Sequence, residues 1–509
     1  MVLGSLFGTR KARHGAAAGV VVLATGGLFL LRAHAATPPG GGPGEPVAMN
    51  PLTTTPLPPL PPPPRPLVPL ADGPVGPDTV AFAGPHIHGT MAVSDARVLA
   101  GSPQAFYADV TLNADGPGQP SPLAMVVVLD TSGSMDGAKL NEAKTAVKEL
   151  VRTMHDDDDI AFVHYSDHAD TVQPLRRVGQ VRAEMDRAID SLTANGGTNI
   201  PAGLELGMHE LEAGLQRADT RDTDRVRRVV LVSDGLDSYK SRSQLLAQNS
   251  ATKEITVSSM GIGLDFDEAY MGGVARSGHG NFGFVNDEPT LTAFLKRELI
   301  ETATTVAQGT VAHLHLPVGV RLVKATGADA EVHGRDVDLR VGAIFADEAK
   351  RVLLQLETDL PAGALADFSG SLTWRTAGRG AASEAEATIP QLEVRATNDT
   401  AAIEKSQNQA VLVRVASVLA SERQLEAAQA YANGDAQRAQ HLIQANVLAL
   451  KTAGAAAPAP LAAPLEAQAG SYEHTMKDFA SAAPASPKGR FAAKASAVSN
   501  VKNASAGAF

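Results

Sequence analysis

The stretch Asp130-Thr131-Ser132-Gly133-Ser134-Met135 sets carboxylate and hydroxyl oxygens two residues apart, directly after the apolar run Ala124-Met125-Val126-Val127-Val128-Leu129. A β-branched run that ends in a polar, glycine-containing turn reads as a buried parallel strand feeding a loop. From Gly137 to Met154, Leu140, Ala143, Ala146, Val147, Leu150 and Val151 recur at helical spacing. Asp130, Ser132 and Ser134 are therefore expected in a strand-to-helix loop at a strand's carboxyl end, where open α/β sheets place ligand sites. Two further loops add oxygen donors. Thr198 lies in Asn195-Gly196-Gly197-Thr198-Asn199, ahead of a helix, and Asp234 lies in Ser233-Asp234-Gly235, after a strand. Two carboxylates and three hydroxyls, with no sulfur or imidazole among them, suit Mg²⁺, or alternatively Mn²⁺ or Ca²⁺, rather than zinc. Neutral hydroxyls compensate such an ion less than an all-carboxylate cage, so a remaining coordination position attracts an acidic group from outside.

The segment that must position these loops alternates strands and helices from Ser121 to about Thr302. Strands are expected over Ile160–Tyr165, Arg228–Val232 and Ile255–Met260, and helices over Val181–Leu192, Ile200–Leu215 and Leu291–Ile300. Pro201 stands at the start of its helix, where its missing N–H costs nothing. Such alternation implies right-handed crossovers and a doubly wound, Rossmann-like sheet. Taken singly, each oxygen donor has a plainer role: Asp130 or Thr198 as a helix cap, Asp234 as an acceptor for loop amides. The five together, in order and each in the right kind of loop, favour the metal reading.

This pattern resembles the von Willebrand factor type A domain and its metal-ion-dependent adhesion site, whose motif is Asp-x-Ser-x-Ser, then a separate Thr, then a separate Asp after a strand. Asp130, Ser132, Ser134, Thr198 and Asp234 match all five positions. Met260-Gly261-Ile262-Gly263 and Gly278-His279-Gly280-Asn281-Phe282 are further echoes. The resemblance implies that the hydroxyls approach the ion, directly or when ligand binds, and that Asp130 and Asp234 hold it directly or through water. It also implies a protein partner that offers an Asp or Glu carboxylate. The layout as a whole is similar to bacterial extracytoplasmic proteins of this type. The resulting expectation is a metal-dependent binding module of the cell envelope, acting in adhesion or assembly; an accessory subunit of an ATPase or of a transport or channel assembly is the alternative.

The 509 residues exceed what one hydrophobic core usually serves. A net charge of -11 argues against a nucleic-acid surface, and the absence of cysteine removes disulfides, thiol catalysis and thiolate metal sites. Residues 1–36 read as an export signal or an N-terminal membrane anchor: Arg10, Lys11 and Arg13 precede the apolar stretch Gly15–Leu31, and Ala33-His34-Ala35 follows. Residues 37–78 read as a proline-rich linker. Period-two alternation over Phe106, Ala108, Val110 and Leu112 marks strands in 79–120, expected to pair with later strands in 303–397 as one β-sandwich, with residues 121–302 inserted between them. Trp374 is expected in that core. Residues 398–452 are expected to form a helical hairpin, turning at Asn433-Gly434-Asp435. Residues 453–509, rich in Ala, Pro and Ser, read as a disordered tail.

Other candidates carry less chemistry. His86, His88, His313 and His315 would make a four-histidine site only if their strands pair; exposed strand histidines are the simpler reading. Asp156-Asp157-Asp158-Asp159 lacks the turn glycine of a calcium loop and reads as a solvated helix-to-strand connection. No Gly-x-Ser-x-Gly, His-Glu-x-x-His or P-loop pattern appears, so a non-enzymatic role is expected.

Overall fold

The computed structural model describes residues 78–506 apart from 117–119, 218–224, 235–239, 286–287 and 379–382. The expected export signal and all but the last residue of the expected linker lie outside the described residues. Strands β1 (Thr79–Gly84), β2 (Ile87–Val93), β3 (Arg97–Leu99) and β4 (Gln104–Ala114) come first. In β4, Phe106, Ala108, Val110 and Leu112 are buried and the residues between them are half-buried, as period two dictates.

The α/β body follows as β5 (Leu123–Asp130), α1 (Ala138–Thr153), β6 (Asp159–Tyr165), β7 (Ala169–Arg177), α2 (Val178–Asp190), α3 (Ile200–Leu215), β8 (Val226–Ser233), α4 (Lys240–Ala251), β9 (Ile255–Ile262), α5 (Glu268–Ser277), β10 (His279–Val285) and α6 (Glu288–Ala303). Its sheet runs β10-β9-β8-β5-β6-β7, parallel except for β7, which returns antiparallel along β6. Every residue of β5 is buried because helices cover both faces. Leu150 of α1 and Leu295 of α6 pack on one face, and Leu204 of α3 and Val274 of α5 pack on the other. The chain leaves β5 toward β6 on one side and rejoins it through β8 on the other. The carboxyl ends of β5 and β8 therefore flank a topological switch point, the natural crevice of such a sheet.

Strands β11 (Thr305–His315), β12 (Val320–Thr326), β13 (Asp329–His333), β14 (Asp336–Phe345), β15 (Ala349–Thr358), β16 (Leu365–Thr376) and β17 (Glu384–Thr397) come next. They share two sheets with the first strands, in the orders β1-β2-β4-β15-β12 and β13-β14-β11-β16-β17-β3. β4 runs antiparallel along β15, and β3 lies parallel to β17. One core joins the two sheets; Phe106 meets Phe368 edge-on at 6.0 Å, and Trp374 is buried there. The ends of the α/β body stand side by side, where the Ser121 N–H donates to the Ala303 carbonyl at 2.8 Å.

Helices α7 (Thr400–Lys405), α8 (Gln409–Ala432), α9 (Ala436–Ala456), α10 (Ala459–Ser481) and α11 (Pro487–Ala506) follow. Gly434 takes φ 90° in the turn between α8 and α9, and Asp435 caps α9 by accepting from the Arg438 N–H. The disordered tail expected from 453 onward is overturned, and the expected hairpin is only the first part of a larger helical bundle. Leu465, Ala469, Tyr472 and Phe479 form a buried stripe on α10 at helical spacing. Alanine is the commonest residue of that region and the best helix former, so a composition that looks low in complexity builds well-packed helices. Phe479 stacks on Tyr431 with centroids 3.9 Å apart. From α11, Lys494 donates to the Phe266 carbonyl at 2.7 Å and to Glu268 at 2.6 Å, tying the tail to the α/β body. Among the described residues, no helix is long and apolar enough to cross a membrane.

Candidate metal centre

Asp130 ends β5, and its carboxylate is held from three directions. The Ser132 N–H donates to Oδ1 at 2.8 Å; the Ser233 and Tyr165 hydroxyls donate to Oδ2 at 2.6 and 3.3 Å. Tyr165 ends β6 and Ser233 ends β8, so the two neighbours of β5 both fix this group. The loop beyond Asp130 makes one tight turn over Gly133–Met135. That turn brings the Ser132 and Ser134 hydroxyl oxygens to 3.1 Å, and Ser134 donates to Asp234 Oδ1 at 2.7 Å. The oxygens of Ser132, Ser134 and Asp234 are thus linked directly, and Asp130 joins them through the Ser132 N–H.

The loop that carries Thr198 reaches the same edge through the backbone of Asn195 and Gly196. The Gly133 N–H donates to the Gly196 carbonyl at 3.0 Å, and the Asn195 N–H donates to the Thr131 carbonyl at 2.9 Å. Gly196 has φ 70°, and a Cβ there would stand 2.4 Å from Asp167 Oδ2, so the loop's course requires glycine. Thr198 is half-buried and makes no hydrogen bond to the other four. The cap of α3 is Asn199, whose side chain accepts from the Ala202 N–H at 3.2 Å; the hydroxyl of Thr198 is not committed to that task.

Burial pushes the Asp130 carboxyl above the usual carboxylate range; hydrogen bonds from Ser132 and Ser233 oppose the shift, and the charge of Asp234 adds to it. Burial, and then the Asp130 charge, push the Tyr165 hydroxyl well above its usual range. Two neighbouring carboxylates with no exposed surface call for a cation. Lys139, in the first turn of α1, supplies one: its ammonium pairs with Asp234 Oδ2 and donates to the Ser134 carbonyl at 3.1 Å. A positive group therefore already stands at the hydroxyl–carboxylate chain, and the all-oxygen donor set fits a hard divalent ion. Lys139, Ser233 and Tyr165 are the members that the motif does not flag. Ser233 and Tyr165 have one legible signal, a polar group at the end of an apolar strand.

The remaining sequence candidates separate. His86 and His88 lie at and beside the β1–β2 turn, whereas His313 and His315 lie on β11 in the other sheet, so no four-histidine site forms. The Asp156–Asp159 run is not wholly solvated. Asp159 opens β6 with its side chain buried 2.9 Å from Arg225, and Asp158 accepts from the His155 N–H at 2.9 Å. A buried arginine draws that end of the run inward.

The family model for the von Willebrand factor type A domain matches residues 124–297. The chain is 26% identical over 286 residues to the protein sll0103 of Synechocystis sp., covering 53% of this chain and 66% of that one. It is 30% identical over 197 residues to YfbK of Escherichia coli, covering 37% of this chain and 33% of that one. The chain thus spans less than two thirds of either relative's length. Mouse inter-alpha-trypsin inhibitor heavy chain H2 is 27% identical over 167 residues, covering 32% of this chain and 18% of that one. Among solved structures, a von Willebrand factor type A protein from Catenulispora acidiphila superposes with a TM-score of 0.58 at 20% identity, covering 80% of this chain and 89% of that one. The ArnB paralog VWA2 from Sulfolobus acidocaldarius gives 0.52 at 14%, covering 81% and 98%. Both likenesses concern the fold, and both extend beyond the matched segment into the flanking regions. Residues 124–297 of this chain are a von Willebrand factor type A domain.

Proposed function

We propose that Asp130, Ser132, Ser134, Thr198 and Asp234 hold a divalent cation, Mg²⁺ or alternatively Mn²⁺ or Ca²⁺, and that the domain binds a protein partner through that site. Domains of this family generally mediate protein–protein interaction and metal-dependent adhesion, usually without enzymatic activity. The bound ion would supply a coordination position for an Asp or Glu carboxylate of the partner. The observation that carries this reading is the unbroken run from Asp130 through Ser132 and Ser134 to Asp234, with an ammonium on its far end. The chain's own residues do the positioning: β6 and β8 clamp Asp130, the turn at Gly133 aims both serines one way, and the Gly196 carbonyl fixes the third loop. The basic, then apolar, N-terminal sequence supports an extracytoplasmic setting in the cell envelope, periplasmic, secreted or anchored by residues 15–31.

Calorimetric titration of the full chain with Mg²⁺ and with Mn²⁺ tests the ion. One saturable Mg²⁺ site is expected in the wild type and none in Asp234→Ala, and Mn²⁺ is expected to lose one site in that variant; equal Mg²⁺ binding by both proteins would refute the assignment. Lys139→Met is expected to raise Mg²⁺ affinity about fivefold. It removes a tethered competitor whose partly exposed ion pair is worth about 1 kcal/mol. Unchanged or weaker binding in that variant would show that the ammonium does not compete.

A further inference from the structure

A second group of ligating side chains stands far along the chain from the five oxygens, on the outer face of β13, β14 and β11. β14 pairs with β13 so that Glu331 faces Asp338, and with β11 so that His313 faces Asp338. Directly opposed residues in antiparallel strands hold their Cβ atoms about 4.5–5.5 Å apart. The alternating residues Val337, Leu339 and Leu314 point into the sandwich core, which sends these polar side chains to solvent.

Within this face, the ligand atoms of Glu331, His333 and Asp338 all lie within 4.8 Å of one another. Two carboxylates and an imidazole form a mixed oxygen–nitrogen set, which suits a borderline first-row dication better than Mg²⁺. Zn²⁺ holds such ligands at about 2.0–2.2 Å, a contraction that side chains rotating at a solvent-facing sheet surface can supply. Asp338 is also held from behind. His313 Nδ1 stands 2.7 Å from Asp338 Oδ1, and His313 Nε2 stands 3.0 Å from Thr373 Oγ1. The tautomer that satisfies both contacts has Nδ1–H donating to the carboxylate while the threonine hydroxyl donates to Nε2. Ligating groups in metal sites are commonly steadied by outer hydrogen bonds of this kind. A cation already faces the cluster, because the Arg340 guanidinium donates to Glu331 Oε2 at 2.9 Å.

We propose that Glu331, His333 and Asp338 bind a transition-metal dication of the Zn²⁺ class, that His313 positions Asp338, and that Arg340 competes for Glu331. This site is independent of the reading given to Asp130 and Asp234.

The test is a Zn²⁺ titration of the untagged full chain by calorimetry, in excess Mg²⁺ so that the oxygen site is occupied. One Zn²⁺ per chain is expected. His333→Gln and Asp338→Asn each weaken it at least tenfold, and Arg340→Met strengthens it severalfold because the rival guanidinium is gone. Asp130→Ala leaves it unchanged. His333 is 68% exposed, so its replacement does not threaten folding, which far-ultraviolet dichroism checks. No saturable Zn²⁺ uptake by the wild type overturns the proposal. So does uptake unaltered in both His333→Gln and Asp338→Asn, or uptake lost in Asp130→Ala.

Discussion

Asp130→Ala is expected to abolish saturable Mg²⁺ uptake, and Asp130→Asn to abolish it while keeping the metal-free fold intact. Removing even an outer-shell partner commonly costs 10–100-fold in metal affinity, and loss of one of two buried carboxylates is expected to exceed that. The two variants differ in what they do to the empty pocket. Alanine strips the acceptor from the Ser132 N–H and from the Ser233 and Tyr165 hydroxyls, all within a buried site. A buried donor left unpaired costs about 1–3 kcal/mol, although the hydroxyls can turn to other acceptors. Asparagine keeps an oxygen for the Ser132 N–H and removes a charge that burial disfavours, the same burial that raises the Asp130 pKa. Calorimetry beside thermal melting separates the two effects. Mg²⁺ binding by Asp130→Asn within tenfold of wild type would contradict the ligand role.

Arg414→Met is expected to destabilise the fold by about 3–5 kcal/mol, the cost of stripping one partner from a buried ion pair. Arg414 Nε lies 2.9 Å from Asp109 Oδ1 where α8 crosses the first sheet, and the side chains are 4% and 14% exposed. Around them Ala92 and Leu353 pack against Val411, Val415 and Val418. Burial lowers the Arg414 pKa to about 10, with the charge of Asp109 opposing that shift. Burial likewise raises the Asp109 pKa, against the pull of Arg414. Without Arg414 the fold either carries a buried carboxylate left with the Thr111 hydroxyl and the weaker influence of Arg351, or binds a proton that the unfolded chain does not. A group whose folded pKa is raised makes the folded state bind more protons, so the variant's deficit should shrink as pH falls from 7 toward the ordinary carboxylate range. Replacing both residues, Arg414→Met with Asp109→Leu, should recover most of the loss, since a well-packed apolar pair often equals a buried ion pair. Denaturant unfolding at two pH values reads all three expectations. A loss below about 1 kcal/mol in the single variant would mean that α8 does not bury the pair in solution.

What was legible in the sequence follows from how local each signal is. The β5 loop announces itself because an apolar run, a glycine turn and alternating oxygens fall within a dozen residues. The strands of the sandwich show their period of two, but pairing partners such as β4 with β15 are far apart in the chain, and only the shared core brings them together. β7 is hard to see because it is an edge strand with polar residues on both faces, among them exposed Asp170 and buried Gln173. The tail misleads because alanine signals high helix propensity and low sequence complexity at once. Lys139 is indistinguishable from a solvent-facing lysine until the fold brings Asp234, from a loop beyond a different strand, against it. Residues fixed by a motif are therefore readable, whereas the groups that steady or oppose them emerge only from the packed sheet.

The most direct test of the central claim is pulsed electron paramagnetic resonance of the Mn²⁺-loaded full chain, with and without ¹³C-labelled acetate as a stand-in for a partner's carboxylate. Bound Mn²⁺ with water in its shell is expected, with a ¹³C coupling that appears as acetate replaces a water and that is absent from Asp234→Ala. A ¹³C coupling that persists in that variant, or a wild-type ion whose shell never admits the carboxylate, would contradict the account.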